Sequence, residues 1–110
     1  MVVRYYWGKP NDVVRWYLRG TLYLSAQSRK SYIEKTGAEP GNLPRLLKLL
    51  KELDEVFETV DTDSMALLCL RYVELLSVTD TAKLTGLSNS QVSTRTAKVM
   101  KKAKDIIAKA

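Results

Sequence analysis

The chain has no histidine and a single cysteine. That removes the commonest general base, the commonest metal ligand and every thiolate cluster at once. No catalytic residue, no metal site and no cofactor is therefore expected, and the protein reads as a non-enzyme. The lone thiol, Cys69, sits in the apolar run Met65-Ala66-Leu67-Leu68-Cys69-Leu70 and is expected to act as a small buried hydrophobe. Apolar runs of about 18 residues, the length needed to cross a bilayer, are also missing. The N-terminus places Arg4 and Lys9 among aromatics, without the apolar core of a signal peptide, so no membrane association is expected. Five glycines and three prolines in 110 residues leave little room for long loops, and the abundance of Leu, Ala and Lys favours helix.

What is present is charge, unevenly spread. The net charge is +6, but residues 37–63 carry seven carboxylates against Arg45, Lys48 and Lys51. Residues 1–36 carry seven cations against Asp12 and Glu34, and residues 64–110 carry eight against Glu74, Asp80 and Asp105. An acidic middle block suits no polyanion, whereas the C-terminal block can attract one. The carboxylates of Glu52, Asp54, Glu55 and Glu58 read as a solvated helix surface.

Apolar spacing predicts an all-α fold of about five helices. An aromatic arm, Met1 to Pro10, precedes a first helix from a cap at Asn11 or Asp12 to about Lys35, weakened at Gly20. A second helix opens near Pro44 and carries the stripe Leu46, Leu49, Leu50, Leu53, Val56, Phe57 and Val60, suited to intramolecular packing or to a dimer seam. A third, capped at Thr62, Asp63 or Ser64, runs to Ser77. A short fourth spans Thr79 or Asp80 to Thr85, and a fifth follows the cap Ser88. Residues 1–62 are expected to form an arm and hairpin for packing or oligomerisation, and 63–110 a second region forming one compact unit with them.

The run Leu70 to Val92 has the punctuation of a helix-turn-helix. Ala82 is small where two helices approach, Gly86 ends the first of them, Leu87 plugs the core from the turn, Ser88 caps the next helix and Val92 points back into the same core. Helix presentation then makes Asn89, Ser90, Gln91, Ser93, Thr94 and Arg95 the base readers. Gln91 or Asn89 suits adenine, Thr94 a thymine methyl, and Arg95 a guanine or a phosphate. Thr79, Lys83, Lys98, Lys101 and Lys102 are candidate phosphate contacts, while Lys104 and Lys109 read as a solvated face. The apolar positions Val99, Met100, Ala103, Ile106 and Ile107 carry the last helix beyond the motif, to pack on the N-terminal helices or on a second subunit.

This segment, "LRYVELLSVTDTAKLTGLSNSQV" followed by "STRTAKVMKKAKDII", resembles region four of housekeeping-type sigma factors over about the last 45 residues. Thr81 departs from the pattern, standing where that family usually has an apolar residue. A complete sigma factor is not expected, since 110 residues hold no second region for the minus-ten element. In size and layout the chain resembles the small late-gene transcription regulators of phages of Gram-positive bacteria, of the RinA and ArpU type. The resemblance implies a sequence-specific regulator of transcription that binds double-stranded DNA in the cytoplasm of a bacterial or phage-infected cell, associated with the nucleoid. A homodimer through the N-terminal helices or the end of the last helix is expected, with RNA polymerase as a further partner. Two alternatives stand beside it: a small-terminase-like DNA-packaging protein that forms a ring, and a module that binds RNA polymerase or an anti-sigma partner.

Overall fold

The computed structural model describes residues 8–110, and the described residues are helical with no strand. The aromatic arm, with Tyr5, Tyr6 and Trp7, lies outside them. Six α-helices follow in order: α1 Pro10–Leu18, α2 Thr21–Thr36, α3 Leu43–Phe57, α4 Thr62–Leu68, α5 Val78–Thr85 and α6 Asn89–Lys109. A π-helical turn, Cys69–Val73, continues α4.

One expected helix becomes two because Gly20 adopts φ +78°, a left-handed conformation that ends α1 and turns the chain into α2. The cap expected at Asn11 or Asp12 is absent. Pro10 itself occupies the first turn, where its missing N–H costs nothing. Helix α3 opens at Leu43 with Pro44 in its first turn and stops at Phe57, three residues short of the expected stripe end. The residue before α3, Asn42, gives no side-chain cap, and its carboxamide oxygen instead accepts from the Arg29 guanidinium. Asp61, one residue earlier than expected, caps α4 by accepting from the Ser64 amide at 3.1 Å. The third helix does not reach Ser77. It loosens into the π turn, where the Glu74 amide donates five residues back to the Cys69 carbonyl at 2.9 Å. Cys69 is half-buried rather than in the core, and burial, with the Glu74 charge adding, pushes its thiol pKa up.

Three apolar clusters lie along the molecule. At one end Ala26 of α2 meets Leu43, Leu46 and Leu50 of α3. In the centre Val13 and Val14 of α1, Leu49, Leu53 and Phe57 of α3, and Leu68 of α4 surround Val99, Met100, Ala103 and Ile107 of α6. The stripes of α3 and α6 are thus consumed within the chain, against each other and against α1, α2 and α4. At the other end Leu67, Ala82 and Val92 close a small cluster with Val78 and Leu87. Tyr17 and Leu22 pack against both of the first two clusters, and the neighbours Leu67 and Leu68 link the last two.

Asp54 departs most from the solvated acidic surface expected of α3, where Glu52 is half-buried and Glu55 and Glu58 are exposed. Asp54 is half-buried and accepts hydrogen bonds from the hydroxyls of Tyr17 and Tyr23, which join α1 and α2 to α3. Tyr17 also stacks on Phe57, with ring centroids 4.9 Å apart. Burial, reinforced by Asp54, raises both phenol pKa values, that of Tyr23 to about 12.

Candidate nucleic-acid interface

The C-terminal segment is built from its helix ends outward. Ser77 starts α5 by accepting from the Asp80 amide at 3.0 Å. Gly86 stops it at φ +75°, its N–H returning to the Ala82 carbonyl at 2.9 Å. Leu87 is half-buried in the turn. Ser88 then opens α6 with a reciprocal cap: its hydroxyl accepts from the Gln91 amide at 3.1 Å, and its own amide donates to Gln91 Oε1 at 3.0 Å. The connection between α5 and α6 is therefore three residues long and closed over by Leu67, Ala82 and Val92.

Every residue expected to read bases or hold phosphates is exposed: Asn89, Ser90, Gln91, Ser93, Thr94, Arg95, Thr79, Lys83, Lys98, Lys101 and Lys102. They do not share one face. At about 100° per residue, Ser90, Thr94 and Lys101 stand opposite the buried row Val92, Thr96, Val99 and Ala103. Arg95, Lys98 and Lys102 fall on one flank of α6, and Ser93 with Lys104 on the other.

Two expected readers already have work inside the chain. The Gln91 carbonyl oxygen is held by the cap, and the Asn89 amide donates to the Thr79 hydroxyl at 3.3 Å, tying the start of α6 to the start of α5. A two-point contact to adenine needs both ends of a carboxamide, so Gln91 must open its cap to make one.

The flanks differ in electrostatics. Arg95, Lys98 and Lys102 line a groove of about 640 Å³ whose opposite wall carries Asp61 and Asp63. Hydrogen bonding from Ser64, with the Arg95 charge adding, holds the Asp61 carboxyl pKa below its ordinary value. The acidic middle block therefore reaches the basic helix instead of lying wholly apart from it. On the other flank a groove of about 480 Å³ runs between the π turn and α6, lined by Arg71, Tyr72, Ser93, Lys101, Lys104 and Asp105 among others. Arg71 is fixed there: one guanidinium N–H donates to the Leu76 carbonyl at 2.6 Å, and its carbon sits 5.5 Å from the Tyr72 ring centroid. Its buried Nε has no acceptor among the described residues.

Sequence reasoning passed over Arg71, which stands in a run read as plain helix, and gave Lys104 to solvent. The lysine spacing along α6 could have flagged Lys104. Nothing local marks Arg71, whose position depends on the π turn. At Thr81, the departure from the sigma pattern, the side chain is fully buried and its hydroxyl has no partner among the described residues.

Among the described residues no group of three or more His, Cys, Asp or Glu converges to hold a metal ion. No described helix is long and apolar enough to cross a membrane. Searches of protein-family models, curated proteins and solved structures returned no match to this chain.

Proposed function

We propose that α4, α5 and α6 form a helix-turn-helix that places the first turns of α6 in the major groove of double-stranded DNA, and that the protein is a sequence-specific regulator of transcription. The observation carrying this reading is the three-residue connection between α5 and a capped α6, sealed by Leu67, Ala82 and Val92 and leaving Ser90 and Thr94 outward. Hydroxyls and carboxamides on the first turns of such a helix suit base edges, and cations further along suit phosphates. In this reading Asn89, Ser90, Gln91, Ser93, Thr94 and Arg95 read bases, while Thr79, Lys83, Lys98, Lys101 and Lys102 hold the backbone. Two copies, joined through the N-terminal helices, would present two reading heads to half-sites about one helical turn apart.

Selection of bound DNA from a random pool tests the specificity, and a common sequence should emerge. Gln91→Glu is the sharper probe. A glutamate at this position preserves the reciprocal cap, so stability should hold within about 0.5 kcal/mol. A carboxylate facing the groove should nonetheless abolish retardation of the selected DNA. Retention of full binding by Gln91→Glu would remove the groove-facing role of this helix.

A second reading, docking on RNA polymerase or an anti-sigma partner, draws on Leu75 and Leu84. Leu75 precedes α5 and Leu84 lies in its last turn, and they are 64% and 69% exposed. Under that reading Leu84→Ser weakens partner capture and leaves DNA retardation unchanged.

A further inference from the structure

The two flanks of α6 are not equivalent to a phosphate, and the difference says where a nucleic-acid backbone would run. On the Arg95 side three cations face two carboxylates across the groove, so a phosphate must displace or tolerate Asp61 and Asp63. On the Arg71 side three cations, Arg71, Lys101 and Lys104, share a groove with one carboxylate, Asp105. Among the described residues the side chain of neither lysine forms an ion pair or a hydrogen bond. The guanidinium is held in place by Leu76 and Tyr72, so little of its freedom is lost when it engages an anion. Ser93 adds a hydroxyl from α6.

We infer that the groove between the π turn and α6 is a phosphate-binding site formed by Arg71, Ser93, Lys101 and Lys104, and that it takes one strand of the DNA backbone. The identity of the ligand as DNA rests on the function proposed above. The anion chemistry of the groove does not. A backbone strand passing the start of α5, where Thr79 is exposed, enters this groove at Val78 and leaves it along Lys104. Lys104 thereby moves from the solvated face into the interface, and Lys102, across the helix, contributes less.

Two measurements on the full chain separate the groove from the DNA reading. In the first, inorganic phosphate is titrated at low ionic strength and followed by nitrogen-resolved NMR. Saturable shifts are expected at the Arg71 Nε–H and the Ser93 amide, weakened several-fold in Lys101→Ala and Lys104→Ala and kept in Lys102→Ala. In the second, retardation of the selected DNA is measured against salt. Lys104→Ala should flatten the slope of log affinity against log salt by about 0.9, the loss of one phosphate contact, with Lys102→Ala changing it less. Phosphate shifts without DNA binding keep the anion site and overturn the backbone role. DNA binding with no phosphate shift, and with Lys102→Ala flattening the slope more than Lys104→Ala, overturns the groove while the DNA reading stands. The exposed lysines carry the test because Arg71 also braces the turn through Leu76.

Discussion

Thr81, fully buried in α5, has a hydroxyl with no hydrogen-bond partner among the described residues. An unpaired buried hydroxyl costs about 1–3 kcal/mol. Valine has the same shape without the polar atom, so Thr81→Val should stabilise the protein by about 1 kcal/mol. Thermal denaturation would show this as a midpoint several degrees higher, and an unchanged or lower midpoint would mean that the hydroxyl is satisfied. The tyrosine pair makes a second residue-scale prediction. The pKa of each phenol is raised above its ordinary value of 10 by burial and by Asp54, so the fold favours the protonated form. This contribution is whole below pH 10 and is lost as pH rises through about 12, the value for Tyr23. Ultraviolet titration should therefore show two of the six tyrosines ionising late, with alkaline unfolding accompanying them. In Tyr17→Phe, stability should fall by about 1.5–3 kcal/mol at neutral pH and the alkaline loss should shrink. Residues 17, 23 and 54 could not be linked in advance. A carboxylate on an otherwise charged helix reads as solvated until its partners, 37 and 31 positions away, are brought to it.

At the scale of elements, sequence and structure agree where a local motif ends a helix. Ser88 with Gln91 three residues later, and Gly86 after Thr85, carry their geometry in the side chain or in its absence. Agreement fails where the end depends on tertiary packing. Gly20 turns the chain so that Val13 and Val14 on one side, and Ala26 on the other, can reach two different clusters. The π turn has no sequence mark, since Cys69 to Val73 continue the apolar spacing of α4. The eleven candidate contacts were legible as exposed, because their spacing against Val92 and Thr96 is local. The separation of Arg95, Lys98 and Lys102 from Ser93 and Lys101 into two unequal grooves was not, because Asp61 and Arg71 come from other elements. Both turn glycines invite the same test. A methyl added at Gly20 or Gly86 would meet nothing within 4 Å, so the penalty for alanine is the left-handed backbone alone, about 1 kcal/mol each. Equal losses in chemical denaturation are expected. A much larger loss at Gly86 would indicate crowding at the turn.

The molecule as a whole is long for its size. Its Cα radius of gyration is 16.0 Å, against about 13 Å for a compact chain of this length, and its extents are 52 × 30 × 22 Å. Three clusters in a row account for that shape better than one central core would. The far end, where α2 and α3 meet, exposes Leu24, Tyr32 and Leu47. If the proposed dimer forms there, light scattering should return twice 12.5 kDa at micromolar concentration, and Tyr32→Ser with Leu24→Ser should halve it. A single-chain mass for the unaltered protein would remove the dimer. The π turn sits between this body and α5. It spends one residue more on its turn than an α-helix does, and each residue of an α-helix is about 100° of rotation. Losing one residue between 69 and 73 would leave an ordinary helix with all its backbone bonds available, a lesion the fold could absorb. Since the wide turn already absorbs that residue, the segment after Val73 would keep nearly its direction relative to Leu67 and Leu68, so this stretch is where the chain tolerates a change of length, and a shortened variant would keep both its helix content and its aim.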